Sequence, residues 1–238
     1  VCAQSIMGLL PKPTLRMTQG EILFDGRRLD ALDSAGWQTI RGKRIAMIFQ
    51  EPMAALNPVQ TIGQQLTEVF TLHFPDMDNA TIHQRSLALL GKVGVTEPEQ
   101  RLRSYPHQLS GGLCQRAMIA MALAGEPDLL IADEPSTALD ASTQQQLLTL
   151  LHELQQSLQM TVLFITHDLA LAANWCQQVI VMQHGKVCEA GATKTLFTEP
   201  HHPYTRSLLT AIQHTGSDSL RTDSLRTSAH APVLLAIQ

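Results

Sequence analysis

The sequence offers no disulfide framework. Its four cysteines, Cys2, Cys114, Cys176 and Cys188, are scattered, and no two of them form a CxxC pair. That pattern argues against a zinc ribbon as well and suits a reducing compartment, where small buried hydrophobes are the ordinary role of cysteine. No apolar run approaches the ~20 residues that span a bilayer. The opening apolar stretch is too short for that and lacks the basic lead of a signal peptide. Positive charge is not in excess either: 17 Lys and Arg stand against 21 Asp and Glu, for a net charge of −4. Nucleic acid and an anionic membrane surface are therefore not expected as partners. Local anion sites stay open, since a few backbone amides make one.

What is present is the composition of an ordinary globular chain, 238 residues with 44% apolar and 16% charged. That length buries a sizeable core in one large domain or two closely associated subdomains. It opens on "VCAQSIMGLLP", where Cys2, Ile6, Leu9 and Leu10 recur at helical spacing and Pro11 closes the run. No capping residue precedes it, so it reads as a helix entered part-way along. "GEILFDGRRL" reads as a strand and turn, and "RIAMIFQ" (44–50) as a denser strand ending on Gln50. Residues 61–124 are mostly helical in pattern, interrupted at Pro75, Gly94–Pro98 and Tyr105–Pro106.

Beyond that, "LLIADE" (129–134) and "TVLFITHD" (161–168) are short continuous apolar runs ending in ionisable groups. They read as strands buried on both faces. A helix between them carries Leu147, Leu150, Leu151, Leu154 and Leu158 on one face. "QVIVMQHGKVCEAG" (178–191) reads as a hairpin turning near His184–Gly185. Buried strands alternating with helices give an α/β domain with a mostly parallel sheet. Ligands of such sheets sit outside the carboxyl ends of the strands, so Asp133, Glu134 and His167 are expected in one crevice. "DSLRTDSLRT" (218–227) is a tandem repeat rich in Ser, Thr and charge, expected to be a solvated tail, while the closing "APVLLAIQ" is apolar enough to dock at a place the sequence does not name.

In "LSGGLCQR" (109–116), Ser110 can cap a helix, and Gly111 and Gly112 let another molecule approach the backbone. A helix N-terminus with free amides favours an anion such as phosphate. At this point the chain resembles the ATP-binding-cassette ATPases, whose signature reads LSGGxxQR. The resemblance covers roughly residues 1–205. Asp133-Glu134 looks like the family's second nucleotide motif, "STALD" (136–140) like its D-loop, "ITHD" places its switch histidine at His167, and "IFQEP" places its Q-loop glutamine at Gln50.

The resemblance implies a P-loop NTPase-like (RecA-like) α/β fold with an inserted helical signature subdomain. The expected division is 1–60 as a partial nucleotide-binding core, 61–125 as the helical subdomain, 126–195 as the rest of the core, 196–213 as a C-terminal element, and 214–238 as a flexible tail. It implies ATP and Mg²⁺ as cofactors. Asp133 would hold Mg²⁺ through its water shell, Glu134 would polarise the attacking water, Gln50 would contact the metal or that water, and His167 would bond the γ-phosphate. Ser110, Gly111, Gly112, Gln115 and Asp140 would belong to the nucleotide site. Phosphoryl transfer depends on positioning and charge stabilisation, which such groups supply.

One family element does not occur in these residues. Gly42-Lys43, Gly91-Lys92 and Gly185-Lys186 are followed by Arg44, Val93 and Val187, so none makes the GxxxxGK that a Ser or Thr completes. In the family that P-loop runs straight into a helix like the opening one, so the P-loop and its strand are expected upstream of Val1. The chain is then either a piece of an intact ATPase or a shortened subunit that donates its signature to an intact partner.

"QEPMAALNP" (50–58) and "HHPYTRSLL" (201–209) resemble the branch serving di- and oligopeptide and nickel importers. The cysteine motif that many members carry after the second element is missing, since no Cys follows Cys188. The resemblance implies a second ATPase subunit, membrane permease subunits reached through 61–105, and indirectly a substrate-binding protein. The expected place is peripheral, on the cytoplasmic face of the bacterial inner membrane. A genome-maintenance ATPase would need sustained heptads between Gln50 and Ser110, and Pro75 and Pro98 break that interval.

Overall fold

The computed structural model describes residues 1–11, 13–136, 139–214 and 233–237. Its contacts divide the chain into two compact units, Val1–Met47 with Pro52–Asp128, and Ile48–Glu51 with Leu129–Gln238.

The first unit begins with α1 (Cys2–Ile6), the hairpin β1 (Leu23–Phe24) and β2 (Arg27–Arg28), α2 (Ser34–Ile40) and β3 (Ile45–Ile48), whose last residue enters the second unit. It continues through α3 (Pro52–Ala55), α4 (Ile62–His73), α5 (Asn79–Lys92), α6 (Pro98–Leu102) and α7 (Gly111–Leu123). The helix starts are chemically marked. Thr61 and Gln64 form a reciprocal capping box on α4, and Asp78 accepts from the Thr81 amide at 2.7 Å on α5. The breaks fall at the prolines and glycines the sequence marks. Leu66, Phe70, Ile82, Leu90 and Ile119 are buried among these helices.

The opening helix is shorter than its apolar spacing suggests. It ends at Ile6, and Gly8 takes a φ of +61° against Trp37, where an added Cβ would lie 2.3 Å from the indole. Arg41, stacked over that indole, donates to the carbonyls of Met7 and Gly8, each at 2.8 Å. A tertiary clamp thus turns the chain before Leu9 and Leu10 can continue the helix.

The second unit holds β4 (Leu129–Asp133), α8 (Ala141–Leu158), β5 (Thr161–Thr166), α9 (Leu169–Trp175), β6 (Gln178–Gln183), β7 (Lys186–Ala192), α10 (Thr193–Thr198), α11 (Pro203–His214) and β8 (Val233–Ile237). Its strands lie in the order β4-β5-β8-β6-β7, parallel except for the β6–β7 hairpin. His184 and Gly185 turn that hairpin at φ +49° and +74°, the backbone a tight two-residue turn requires. Leu130, Ile131, Val162 and Phe164 are buried along the strands, and Leu147, Leu151 and Leu154 along α8.

The repeat 218–227 lies outside the described residues, and the closing apolar run, read from the sequence as able to dock at an unnamed place, forms β8 at 233–237 inside the sheet. An uncharged apolar run meets two strands whose main-chain groups need partners there, and that outweighs its place at the end of a polar stretch.

Leu151 is 1% exposed on the inward face of α8. Leu151→Ala is expected to lower unfolding free energy by about 2–5 kcal/mol, read from urea denaturation. A loss under about 0.5 kcal/mol, the size of surface changes, would contradict this packing.

Candidate functional site

Buried parallel strands deliver their last residues to one edge of the sheet. β4 and β5 pair from Leu129↔Thr161 to Asp133↔Ile165, so the residues after each emerge side by side. The Glu134 amide continues the ladder by donating to the Ile165 carbonyl at 2.8 Å. Glu134 itself adopts φ +48°, a left-handed conformation that costs a non-glycine residue free energy and concentrates at functional sites. The other non-glycine residues of this kind include Gln159, which ends a helix, and His184, in a hairpin turn. Glu134 instead directly follows a buried strand.

Two of the expected partners meet its carboxylate. The Gln50 amide donates to Glu134 Oε2 over a long 3.5 Å, and His167 Nδ1 lies 3.6 Å from the same oxygen. All three residues belong to the second unit. The His167 side chain is 60% exposed and that of Glu134 30%, which leaves the cluster open to a ligand. Asp133 is half-buried, and burial, reinforced by the neighbouring Glu134 charge, raises its pKa above the ordinary carboxyl value. A hard cation bound at this edge would relieve both effects, and carboxylate and amide oxygens are its preferred ligands.

The backbone next to His167 is fixed by a residue to which the sequence reading gave no role. Asp168 caps α9, accepting from the amides of Ala170 at 2.9 Å and Leu171 at 3.1 Å, while its own amide donates to Thr166 Oγ1 at 3.1 Å. The two-residue link between β5 and α9, His167 and Asp168, is therefore fixed at both ends. An Asp directly before a helical apolar run was the available signal.

Asp140 caps α8 in the same manner. It accepts from the amides of Ser142 and Thr143, both at 3.0 Å, and from their hydroxyls at 2.6 and 2.7 Å. Those bonds hold its pKa well below the usual carboxylate range. The signature lies in the first unit, where Ser110 caps α7 by accepting from the Leu113 amide at 3.4 Å. Gly111 is exposed, and a Cβ at Gly111 or Gly112 would meet only open space. Internal packing thus does not demand either glycine. Gln115 differs from its companions: it is buried, at 5% exposure, on the inward face of α7.

In the C-terminal element, Glu189 accepts from the amides of His201 at 2.8 Å and His202 at 3.1 Å, and His202 Nδ1 accepts from the Tyr204 amide at 3.2 Å. Burial works against ionisation of Glu189, but the hydrogen bonds it accepts prevail and keep its pKa below the ordinary value. These histidines serve the start of α11.

Residues 2–137 match the family described as ABC transporter. The chain belongs to that family. Among curated ABC relatives it is 50% identical over 211 residues to a peptidoglycan transport ATP-binding protein of Agrobacterium fabrum, covering 89% of this chain and 38% of the relative. It is 47% identical over 212 residues to the dipeptide transport ATP-binding protein DppD of Bacillus subtilis, covering 89% and 63%. To the DppD of Escherichia coli it is 45% identical over 225 residues, covering 94% and 68%. The chain thus spans only part of these relatives. Among solved structures it resembles cbiO1 of Clostridium perfringens, part of an ABC transporter complex, with TM-score 0.69, 28% identity, and 90% and 80% coverage. It also resembles a dimeric ATP-binding cassette in a post-hydrolysis state bound to ADP and Pi, with TM-score 0.65, 29% identity and 74% coverage of each chain. No helix among the described residues is long and apolar enough to cross a membrane.

The Asp140 cap predicts a pH dependence. A carboxylate whose folded pKa is depressed stabilises the fold above its unfolded value of about 4, and that contribution is lost as pH falls toward the folded value. Asp140→Asn keeps an acceptor at the cap but does not titrate. The wild-type advantage over Asp140→Asn in urea midpoint should shrink between pH 7 and pH 3, and an offset independent of pH would contradict the bonding.

Proposed function

We propose that this ABC-family chain is the ATP-hydrolysing subunit of a bacterial importer for di- or oligopeptides, with nickel or a nickel chelate as the alternative cargo. The observation that carries the reading is the convergence of Gln50 and His167 on the carboxylate of Glu134. The dipeptide transport names of its relatives support the substrate class.

ATP and Mg²⁺ suit the donor set. Asp133 and the Gln50 amide oxygen would hold the cation, whose chemistry is to bridge and neutralise phosphate oxygens. Glu134 would accept a proton from the attacking water, and its backbone is already tied to the sheet by the ladder bond of its own amide. His167, set by the Asp168 cap, would bond the terminal phosphate, with Asp140 at the rim of the site. Ser110, Gly111 and Gly112 would offer the amides and positive end of α7 to phosphate. Gln115 would support that helix end from within. The expected partners are a second ATPase subunit, permease subunits that seat the chain on the cytoplasmic face of the inner membrane, and through them a substrate-binding protein. Nucleic acid is not among them.

A second reading has its own observation: a Cβ at either signature glycine would meet only open space. The chain would then lend its signature to a partner's phosphate site.

Two variants separate these readings in the assembled transporter. As a catalytic subunit, the chain with Glu134→Gln should lose hydrolysis by ~10²-fold or more while nucleotide binding persists, and wild-type turnover would contradict the assignment. As a signature donor only, the chain should tolerate Glu134→Gln yet lose the partner's hydrolysis on Ser110→Arg.

A further inference from the structure

Three glutamines follow one another on the first two turns of α8. Gln145 and Gln146 are exposed, whereas Gln144 is half-buried. Its backbone is well fixed. The cap places the Ser142 and Thr143 amides on the Asp140 carboxylate, and the Gln144 amide donates to the Asp140 carbonyl at 2.9 Å. Its side chain leaves the helix for α9: Gln144 Nε2 donates to Asp168 Oδ2 at 3.5 Å, across 24 positions of the chain. The two oxygens of Asp168 thus serve different elements. Oδ1 takes the first amides of α9, and Oδ2 takes the amide of a side chain on α8. A carboxylate held at one oxygen can still turn about it, and a second, charge-assisted bond on the other oxygen fixes its plane. α8 is a firm support for that bond, since its Leu147, Leu148 and Leu151 are buried.

We propose that Gln144 is a positioning residue for His167, joining the start of α8 to the start of α9 so that the histidine keeps its place beside Glu134. It acts through Asp168, the next residue after His167, whose amide also donates to Thr166 Oγ1 at 3.1 Å. The backbone at His167 is then referenced to α8 as well as to its own strand. α8 begins at Asp140 and α9 directly after the two-residue link that holds His167, so the bridge keeps these two edges of the site in one arrangement. Its contribution to hydrolysis rests on the catalytic reading above, whereas the bridge itself does not. A single hydrogen bond of this kind, half open to water, tunes a site and does not make it.

Two variants separate a donor from a mere filler of space. Gln144→Met keeps the length and removes the donor, while Gln144→Lys changes the shape and keeps one. In the intact 238-residue chain, amide hydrogen exchange across 168–171 should rise by ~5-fold or more on Gln144→Met and return to the wild-type rate on Gln144→Lys. In the assembled transporter, Gln144→Met should lower kcat for ATP hydrolysis by ~5-fold or more with KM for ATP unchanged, and Gln144→Lys should restore it. Unchanged exchange on Gln144→Met would overturn the proposal. So would a loss that Gln144→Lys does not repair, which would make the residue a packing element. Raised exchange with an unchanged kcat, in a transporter that Glu134→Gln inactivates, would overturn it too. A transporter in which Glu134→Gln turns over at the wild-type rate contradicts the catalytic reading instead, and exchange alone then decides the bridge.

Discussion

The parallel register of β4 and β5 is the constraint on which the candidate site rests. Asp133 stands opposite Ile165, and the next amide, that of Glu134, adds one more bond to the Ile165 carbonyl. Both strands are apolar and largely buried, so main-chain pairing inside the sheet is the means of satisfying their polar groups. A slip of one residue would reverse the faces of every side chain along the strand. It would also carry Glu134 away from the oxygen-to-nitrogen distances it makes with Gln50 and His167. The chemistry at the edge is thus set by packing several residues below it.

Around that edge the chain is held in positions that sequence-local preference would not choose. Glu134 sits at φ +48°, and Asp168 spends its carboxylate on the first turn of α9. A left-handed backbone at the first and a cap at the second thus mark the ends of β4 and β5. Asp133 is kept partly enclosed beside a second carboxylate, an arrangement unfavourable in isolation that a cation would stabilise. A site poised in this way favours binding, since the protein has already ordered the groups before a ligand arrives.

Much of this was legible from residue order. The apolar runs at 129–134 and 161–168 end in ionisable groups, and their length and lack of alternation suffice to make them buried strands whose ends share an edge. The prolines and glycines between α4 and α7 mark those helix breaks by local chemistry alone. The end of α1 was not legible, because Arg41 and Trp37, more than thirty residues away, decide it. β8 was not legible as a strand of the sheet because parallel pairing of remote segments leaves no local trace. Nor was the burial of Gln115: its place in the signature suggested exposure, while its register on α7 turns it inward. Asp168 was visible as a residue but not as the anchor of His167, since a cap is recognised only when the helix it starts is known.

The central claim is that Gln50, Glu134 and His167 act as one unit around a single carboxylate, and a double-mutant cycle on hydrolysis tests it most directly. With Gln50→Ala, His167→Ala and the pair measured in the assembled transporter, the account predicts strong non-additivity, the double variant falling little below the worse single one. Independent effects that multiply in full would mean that the two residues do not work through Glu134 together, and the account would fail.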